Sequence, residues 1–324
     1  MRPVRLRIAA LAALLPAAAC VTRTSVSSSV TELPAGTEAV SLFNEPLVAP
    51  ALPEATRARL EQDLAAARAV RAANPDSALA AIWVGRRLGY LGRFQEAIAT
   101  FSEGAERWPR DARFLRFRGH RYISVRNFEG AIADLERART LVQGTPDQVE
   151  PDGAPNPQGI PTSTLHTNIR YHLFLAHYLV GNLVRAAEIQ AEDLAAAPNV
   201  DTRVATAYWH VMTLRRLGRE AEAQRLLATI TPDLPVIENQ SYHKLLLLYK
   251  GALTPDQLVK PDPDAANALD EATYNNGIGT WHLLAGRKDA AIAAWRRARS
   301  AGPWAAFGTI AAEAELKRIG AGVR

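Results

Sequence analysis

The stretch from Ala78 to Asp111 repeats itself, loosely but in register, from Ala112 to Thr145. At an offset of 34 residues Gly85 falls on Gly119, Leu88 on Tyr122, Ala97 on Ala131, Phe101 on Leu135 and Gly104 on Ala138. Small residues recur where two helices must approach closely. Large ones recur where the space between them must be filled. Self-similarity at this period marks a helix-turn-helix array, in which each unit buries its apolar face on its neighbours. The abundance of Ala, Leu and Arg over aromatics suits helices better than sheets. The expectation is an all-α solenoid of about five such repeats with capping helices.

Around this core the chain divides in order. Residues 1–20 read MRPVRLRIAALAALLPAAAC, a basic start, an apolar run and a small-residue end, the layout of a secretory signal peptide over 1–19. Its apolar run is about half of the ~20 residues that span a bilayer. Residues 20–53 are rich in Ser, Thr, Pro and Val and read as a flexible tether, with an extended piece at Ala39 to Phe43. From Pro53 or Glu54 a helix runs to Ala73, with Leu60, Leu64, Ala67 and Val70 on one face and Asn74-Pro75 as its stop. It reads as an N-terminal cap over 54–77, followed by two repeats over 78–145. In the first repeat Gly85 allows close approach, Phe101 fills the gap beside it, Gly92 ends helix A and Pro109 ends helix B.

The Pro- and Gly-rich stretch 144–166 breaks the register. It is either a tolerated surface insertion or a lid-like, partner-contacting loop. Two further repeats occupy 167–237, one turning at Gly181 and the other at Gly218. Residues 272–319 hold the cleanest late repeat, with Gly279, Gly286, Ala291, Trp295, Ala298 and Pro303, and then a closing helix expected to cap the C-terminal end. The starts at 204 and 272 are twice the period apart, so 238–271 is a degenerate unit whose second helix is cut short by Pro261 and Pro263.

Gly85, Ala97, Phe101 and Pro109 stand where the tetratricopeptide repeat family has a small residue, Ala, an aromatic and Pro, and the chain resembles that family. Ala17-Ala18-Ala19-Cys20 resembles the lipobox of bacterial lipoproteins, with Ala17 where Leu is usual. That resemblance implies lipidation at Cys20, and Val21 in place of Asp implies the outer membrane. The alternative is plain secretion with Cys20 as a free thiol. The layout as a whole resembles NlpI-type periplasmic lipoproteins, which implies a scaffold for other envelope proteins.

By analogy with the repeat family, the inner positions of the A helices form a partner-binding groove of Trp83, Arg86, Arg113, Arg116, His120, Asn168, Tyr171, Tyr208 and Arg215. Arginine beside aromatics is the composition of recognition surfaces. The implied partner is an envelope protein or peptide segment bearing acidic groups or a free C-terminus. The alternative has these aromatics packing between helices and the arginines forming a solvated face.

Arg2, Arg5 and Arg7 supply three of the five net positive charges, so the chain beyond the leader is only +2, giving no reason to invoke nucleic acid. A single cysteine excludes an intramolecular disulfide. His166, His172 and His177 lie five and six apart, on different sides of a helix, and read as packing groups rather than metal ligands. Ser241-Tyr242-His243-Lys244 matches the short S-x-x-K pattern, but its K-T-G companion is absent. No metal, cofactor or catalytic fingerprint is present, and the expectation is a non-enzymatic adaptor. Its rival is a small-molecule or enzymatic role with 144–166 as a lid.

Overall fold

A computed structural model of the protein describes residues 33–151, 153, 155–258 and 268–322. The leader, Cys20 and the first part of the tether lie outside these residues. Helices α1 (Glu54–Ala73), α2 (Ala78–Tyr90), α3 (Phe94–Arg107), α4 (Ala112–Ser124) and α5 (Phe128–Val142) pack in sequence, each on its predecessor. After the 144–166 insertion, α6 (Leu165–Val180), α7 (Leu183–Ala195), α8 (Val200–Arg216) and α9 (Glu220–Ala228) continue the stack. Then come α10 (Gln240–Lys250), the single turn α11 (Pro255–Leu258), α12 (Ala268–Leu284), α13 (Lys288–Ala301) and α14 (Phe307–Arg318).

Side-chain oxygens start many of these helices. Ser77 accepts from the Ala80 N–H at 3.2 Å, Asn127 from Gly130 at 3.0 Å and Asn199 from Thr202 at 2.9 Å. Each such cap is worth about 1 kcal/mol. Thr164 and Thr167 form a reciprocal capping pair at the start of α6.

The mesh between paired helices is the one that the stride implies. A Cβ placed on Gly85 would lie 2.4 Å from the Phe101 ring. One on Gly119 would lie 2.7 Å from Leu135, and one on Gly279 2.5 Å from Trp295. In each case the large residue sits sixteen positions after the glycine, so one geometry is built three times. The third repeat inverts it, with Phe174 fully buried against a second helix that carries Ala186 and Ala187.

Two features depart from the sequence reading. The tether is not wholly flexible, because β1 (Thr37–Val40) and β2 (Pro46–Val48) form an antiparallel hairpin. Glu38 receives the Gln95 N–H at 2.8 Å and its carbonyl receives the Gln95 amide, at the start of α3. Trp304 donates to the Val48 carbonyl at 2.7 Å and Lys317 to the Leu42 carbonyl at 2.9 Å. One short ribbon therefore ties the first repeat to the end of the array.

The second departure is α14. It covers the last repeat, but it also turns inward, and every residue from Gly308 to Leu316 is buried. Arg126 pairs with Glu313 at 2.7 Å, Arg216 pairs with Glu315, and Arg318 donates to the carbonyls of Tyr178 and Leu179. A helix buried on all faces leaves little of the inner face free. What stays free is a cavity.

Candidate functional site

The inner stripes of the A helices converge on this cavity, of about 510 Å³. Residues three and four apart share a helix face. So α4 presents Arg116 and His120, and α6 presents Asn168, Tyr171 and His172. Helix α10 adds Ser241 and Tyr242, α12 adds Asp270 and Thr273, and Phe307 closes the α14 side.

The aromatic floor is fixed by its own hydrogen bonds. Tyr171 Oη receives the Trp209 indole N–H at 3.0 Å and meets Tyr242 Oη at 3.0 Å. Burial pushes the Tyr171 hydroxyl well above its ordinary range, so it stays protonated. The His120 and His172 rings lie 4.4 Å apart, with Phe307 at 5.3 and 5.6 Å from them. Desolvation, reinforced by Arg121 for His120 and by Arg116 for His172, holds both imidazoles well below the usual value. His172 Nδ1 lies 2.6 Å from the Asn168 carbonyl, to which the neutral ring donates, leaving Nε2 as an acceptor.

The insertion 144–166 is a wall of this site. Its two arms pair through Glu150 N–H to the Ser163 carbonyl at 3.3 Å and Leu165 N–H to the Gln148 carbonyl at 2.8 Å. Thr162 donates to Glu238 at 2.6 Å, and Asn199 and Thr202 both donate to the Thr162 carbonyl. Glu150 enters the interior and pairs with Arg116 at 2.8 Å, each side chain under 10% exposed. Burial outweighs their mutual attraction at both ends, lowering the Arg116 value and raising that of Glu150. Arg116 Nε and Glu150 Oε1 are buried without a partner among the described residues.

Of the groove residues expected from sequence, Arg116, His120, Asn168 and Tyr171 meet in the cavity. Arg86 sits just beyond, stacked 4.3 Å from the Trp83 ring and donating to the Pro151 carbonyl at 2.6 Å. The other three lie elsewhere. Arg113 pairs with Asp111 at 2.6 Å, because that N-cap carboxylate is the nearer partner. Tyr208 is fully buried, stacked on Tyr242 and bonded to Asn276. Arg215 lies over Tyr249 and pairs with Glu220. Sequence reasoning missed Tyr242, Asp270 and Phe307, because the degenerate fifth unit offered no register and α14 was placed outside the groove.

Ser241 gives its hydroxyl hydrogen to Asp270, while Lys244 is exposed, so the S-x-x-K pattern does not assemble as a nucleophile–base pair. The cavity wall mixes Arg116, already paired with Glu150, and two neutral histidines with the carboxylates of Glu238, Asp270 and the Arg170-paired Asp193. Such a surface offers a ligand both donors and acceptors.

The architecture is tetratricopeptide-like. No protein-family model matches the chain, and no curated protein matches it. Among solved structures, a tetratricopeptide repeat protein from Parabacteroides merdae is similar, at 14% identity and a TM-score of 0.47, over 80% of this chain and 93% of that one. The repeat reading itself stands on the meshed glycines and large residues of this chain.

Proposed function

We propose that the protein is a non-enzymatic adaptor of the bacterial cell envelope that takes a short segment of a partner protein into its inner cavity. The observation that carries this is the convergence of Arg116, His120, Asn168, Tyr171 and Tyr242, from three separate helices, on one 510 Å³ space. An acidic side chain or free C-terminus of the segment sits beside Arg116. Donor groups face Glu238 and Asp270. The occupied inner face around α14 restricts the segment to a short one. The leader sequence supports a lipid anchor at Cys20, with the folded part facing the periplasm from the outer membrane.

The test compares capture and peptide-array mapping of a partner segment by the wild type and by Ser241→Trp, whose ring would fill the cavity. Segment binding is expected to be lost in Ser241→Trp and Tyr171→Ala. It is expected to survive in Arg113→Glu, since Arg113 faces Asp111. Equal binding by all four forms would refute the reading. A Cys20→Ser form that still fractionates with membranes would refute the anchor.

The wall that Thr162 and Ser163 give the cavity also favours a second reading, a small molecule as occupant, since the cavity of about 510 Å³ falls within the range of roughly 300–1,000 Å³ of ligand pockets. Native mass spectrometry separates the two. A bound low-mass species absent from Ser241→Trp supports the second reading, and its absence with segment binding intact supports the first.

A further inference from the structure

Behind the main cavity, between α2 and α4, lies a second chamber of about 120 Å³. Three guanidinium groups line it, those of Arg86, Arg116 and Arg121, together with the Tyr90 hydroxyl and His120. Among the described residues no carboxylate does. Arg116 and Arg86 lie over the same Phe117 ring, at 4.3 and 5.0 Å. Arg121 reaches in where α2 carries Gly89, whose added Cβ would stand 3.2 Å from the Arg121 guanidinium.

The charges do not balance. Glu150 pairs with Arg116 from the 144–166 wall at 2.8 Å. Among the described residues, Arg86 has only neutral acceptors, the Pro151 carbonyl at 2.6 Å and Tyr90 Oη at 3.2 Å. Among the described residues Arg121 has one acceptor, whichever His120 ring nitrogen lacks the proton in the neutral imidazole, at 2.6 or 2.8 Å. Of the three, Arg116 is buried and Arg86 and Arg121 are half-buried; guanidinium groups withdrawn from solvent normally find a carboxylate or phosphate, because desolvating an unpaired cation is costly. Here burial, with Arg116 and Arg86 adding to it, pulls Arg121 down to about 9. Each guanidinium lies over an aromatic ring, Arg86 over Trp83, Arg116 over Phe117 and Arg121 over Phe94, which packs its face and leaves its edge to the chamber. The same place on the preceding repeat, Arg87, simply pairs with Asp63 at 3.2 Å.

We infer that this chamber is an oxyanion site for a phosphate group. Among the described residues three guanidinium groups face one carboxylate, a surplus of two positive charges that a dianion cancels and a single carboxylate does not. A phosphate also presents acceptors in several directions, as forks arriving from two helices require. The chamber is ample for such a group beside the roughly 10–15 Å³ that one water needs. Through Arg116 and His120 it adjoins the main cavity, so the phosphate is either a free ion or the phosphorylated end of a ligand lying there. The site does not depend on the adaptor reading, because phosphate alone tests it.

Calorimetric titration and thermal melting of the purified protein with inorganic phosphate, at ionic strength held constant with chloride, should show saturable heat. The melting temperature should rise with phosphate concentration. Arg121→Met is expected to weaken phosphate binding about tenfold or more, the loss of one charge-assisted contact. It should also melt as high as the parent or higher without phosphate, because a half-buried charge with no carboxylate partner among the described residues is gone. A melting point no lower than the parent's excludes misfolding as the cause of lost binding. Arg86→Gln should weaken binding similarly. Glycerol phosphate forms the second arm: binding at least as tight as inorganic phosphate assigns the site to a ligand-borne group, and binding of inorganic phosphate alone assigns it to the free ion. Absence of saturable phosphate heat, or an unchanged response in both Arg121→Met and Arg86→Gln, overturns the proposal.

Discussion

The hairpins α2–α3 and α4–α5 are the same structure built twice, and they differ where it matters. Both mesh a glycine with a large residue sixteen positions on, Gly85 with Phe101 and Gly119 with Leu135. At the end of helix A the first uses Gly92, at φ 76°, as the later repeats use Gly181, Gly218 and Gly286. The second must adopt the same left-handed turn with Arg126, at φ 66°. Inside, the buried Ile82 of the first copy is replaced by the buried Arg116 of the second. The stride fixes the backbone, and the departures from it mark closure of the array and the cavity.

The turn is where this comparison breaks most visibly. A non-glycine residue in the left-handed region costs roughly 1–2 kcal/mol. Arg126 offsets it by pairing with Glu313 of α14, with side chains only 3% and 2% exposed, and by donating to the Trp304 carbonyl. Arg126→Ala keeps the strain and strands a buried carboxylate, so it should cost about 3–5 kcal/mol in urea unfolding. Arg126→Gly relieves the strain and should recover about 1 kcal/mol of that loss. If both variants unfold with the parent, the arginine is not what closes the array.

The matched glycines sharpen the same comparison at smaller scale. A Cβ on Gly85 meets three atoms of the rigid Phe101 ring at 2.4–2.9 Å, whereas on Gly119 only Leu135 Cγ comes under 3.0 Å. Overpacking costs about 1–3 kcal/mol, against about 1 kcal/mol gained in helix propensity. Gly85→Ala should therefore be destabilising by about 1–2 kcal/mol, and Gly119→Ala closer to neutral. Equal effects in chemical denaturation would mean that the two interfaces relax alike.

These residues also show what a sequence discloses about such a chain. The glycine–aromatic spacing is local and repeats, so helix pairing was legible from Gly85, Phe101, Gly279 and Trp295 alone. Arg116, His120, Asn168 and Tyr171 were legible as inner-face residues because each repeat numbers its own stripe. Closure was not. Arg126 and Glu313 stand 187 positions apart, and Arg216 and Glu315 stand 99 apart. Glu313, Glu315, Lys317 and Arg318 make α14 look like a solvated end cap until their distant partners are known. Arg126 did carry a signal, standing 34 residues after Gly92, where a repeat would place glycine again. The hairpin at 37–48 has too few residues to show period-two alternation, and its hold on the array joins carbonyls, which sequence does not display, to side-chain pairs such as Glu45 with Arg299, 254 positions apart.

The inner stripe gives the smallest of the expected differences. Where the first copy carries Arg86, the second carries His120, and the following A helix sets His172 beside it at 4.4 Å. Both imidazoles titrate well below their ordinary value of 6.5 in the folded protein, chiefly through desolvation and then through Arg121 and Arg116 respectively. Below pH 6.5 the unfolded chain takes up protons at these rings while the native state does not. The stability they confer is thus fully present above that pH and is lost as the pH falls. Each ring contributes at most about 1.4 kcal/mol per pH unit, and less where solvent reaches it. His172→Gln preserves a donor for the Asn168 carbonyl and removes one titrating group. Between pH 6.5 and 5 its unfolding free energy should fall less steeply than the parent's, by about 1 kcal/mol per pH unit. An unchanged slope would mean that protonated His172 is accommodated, and that the space it lines is wetter than its walls suggest.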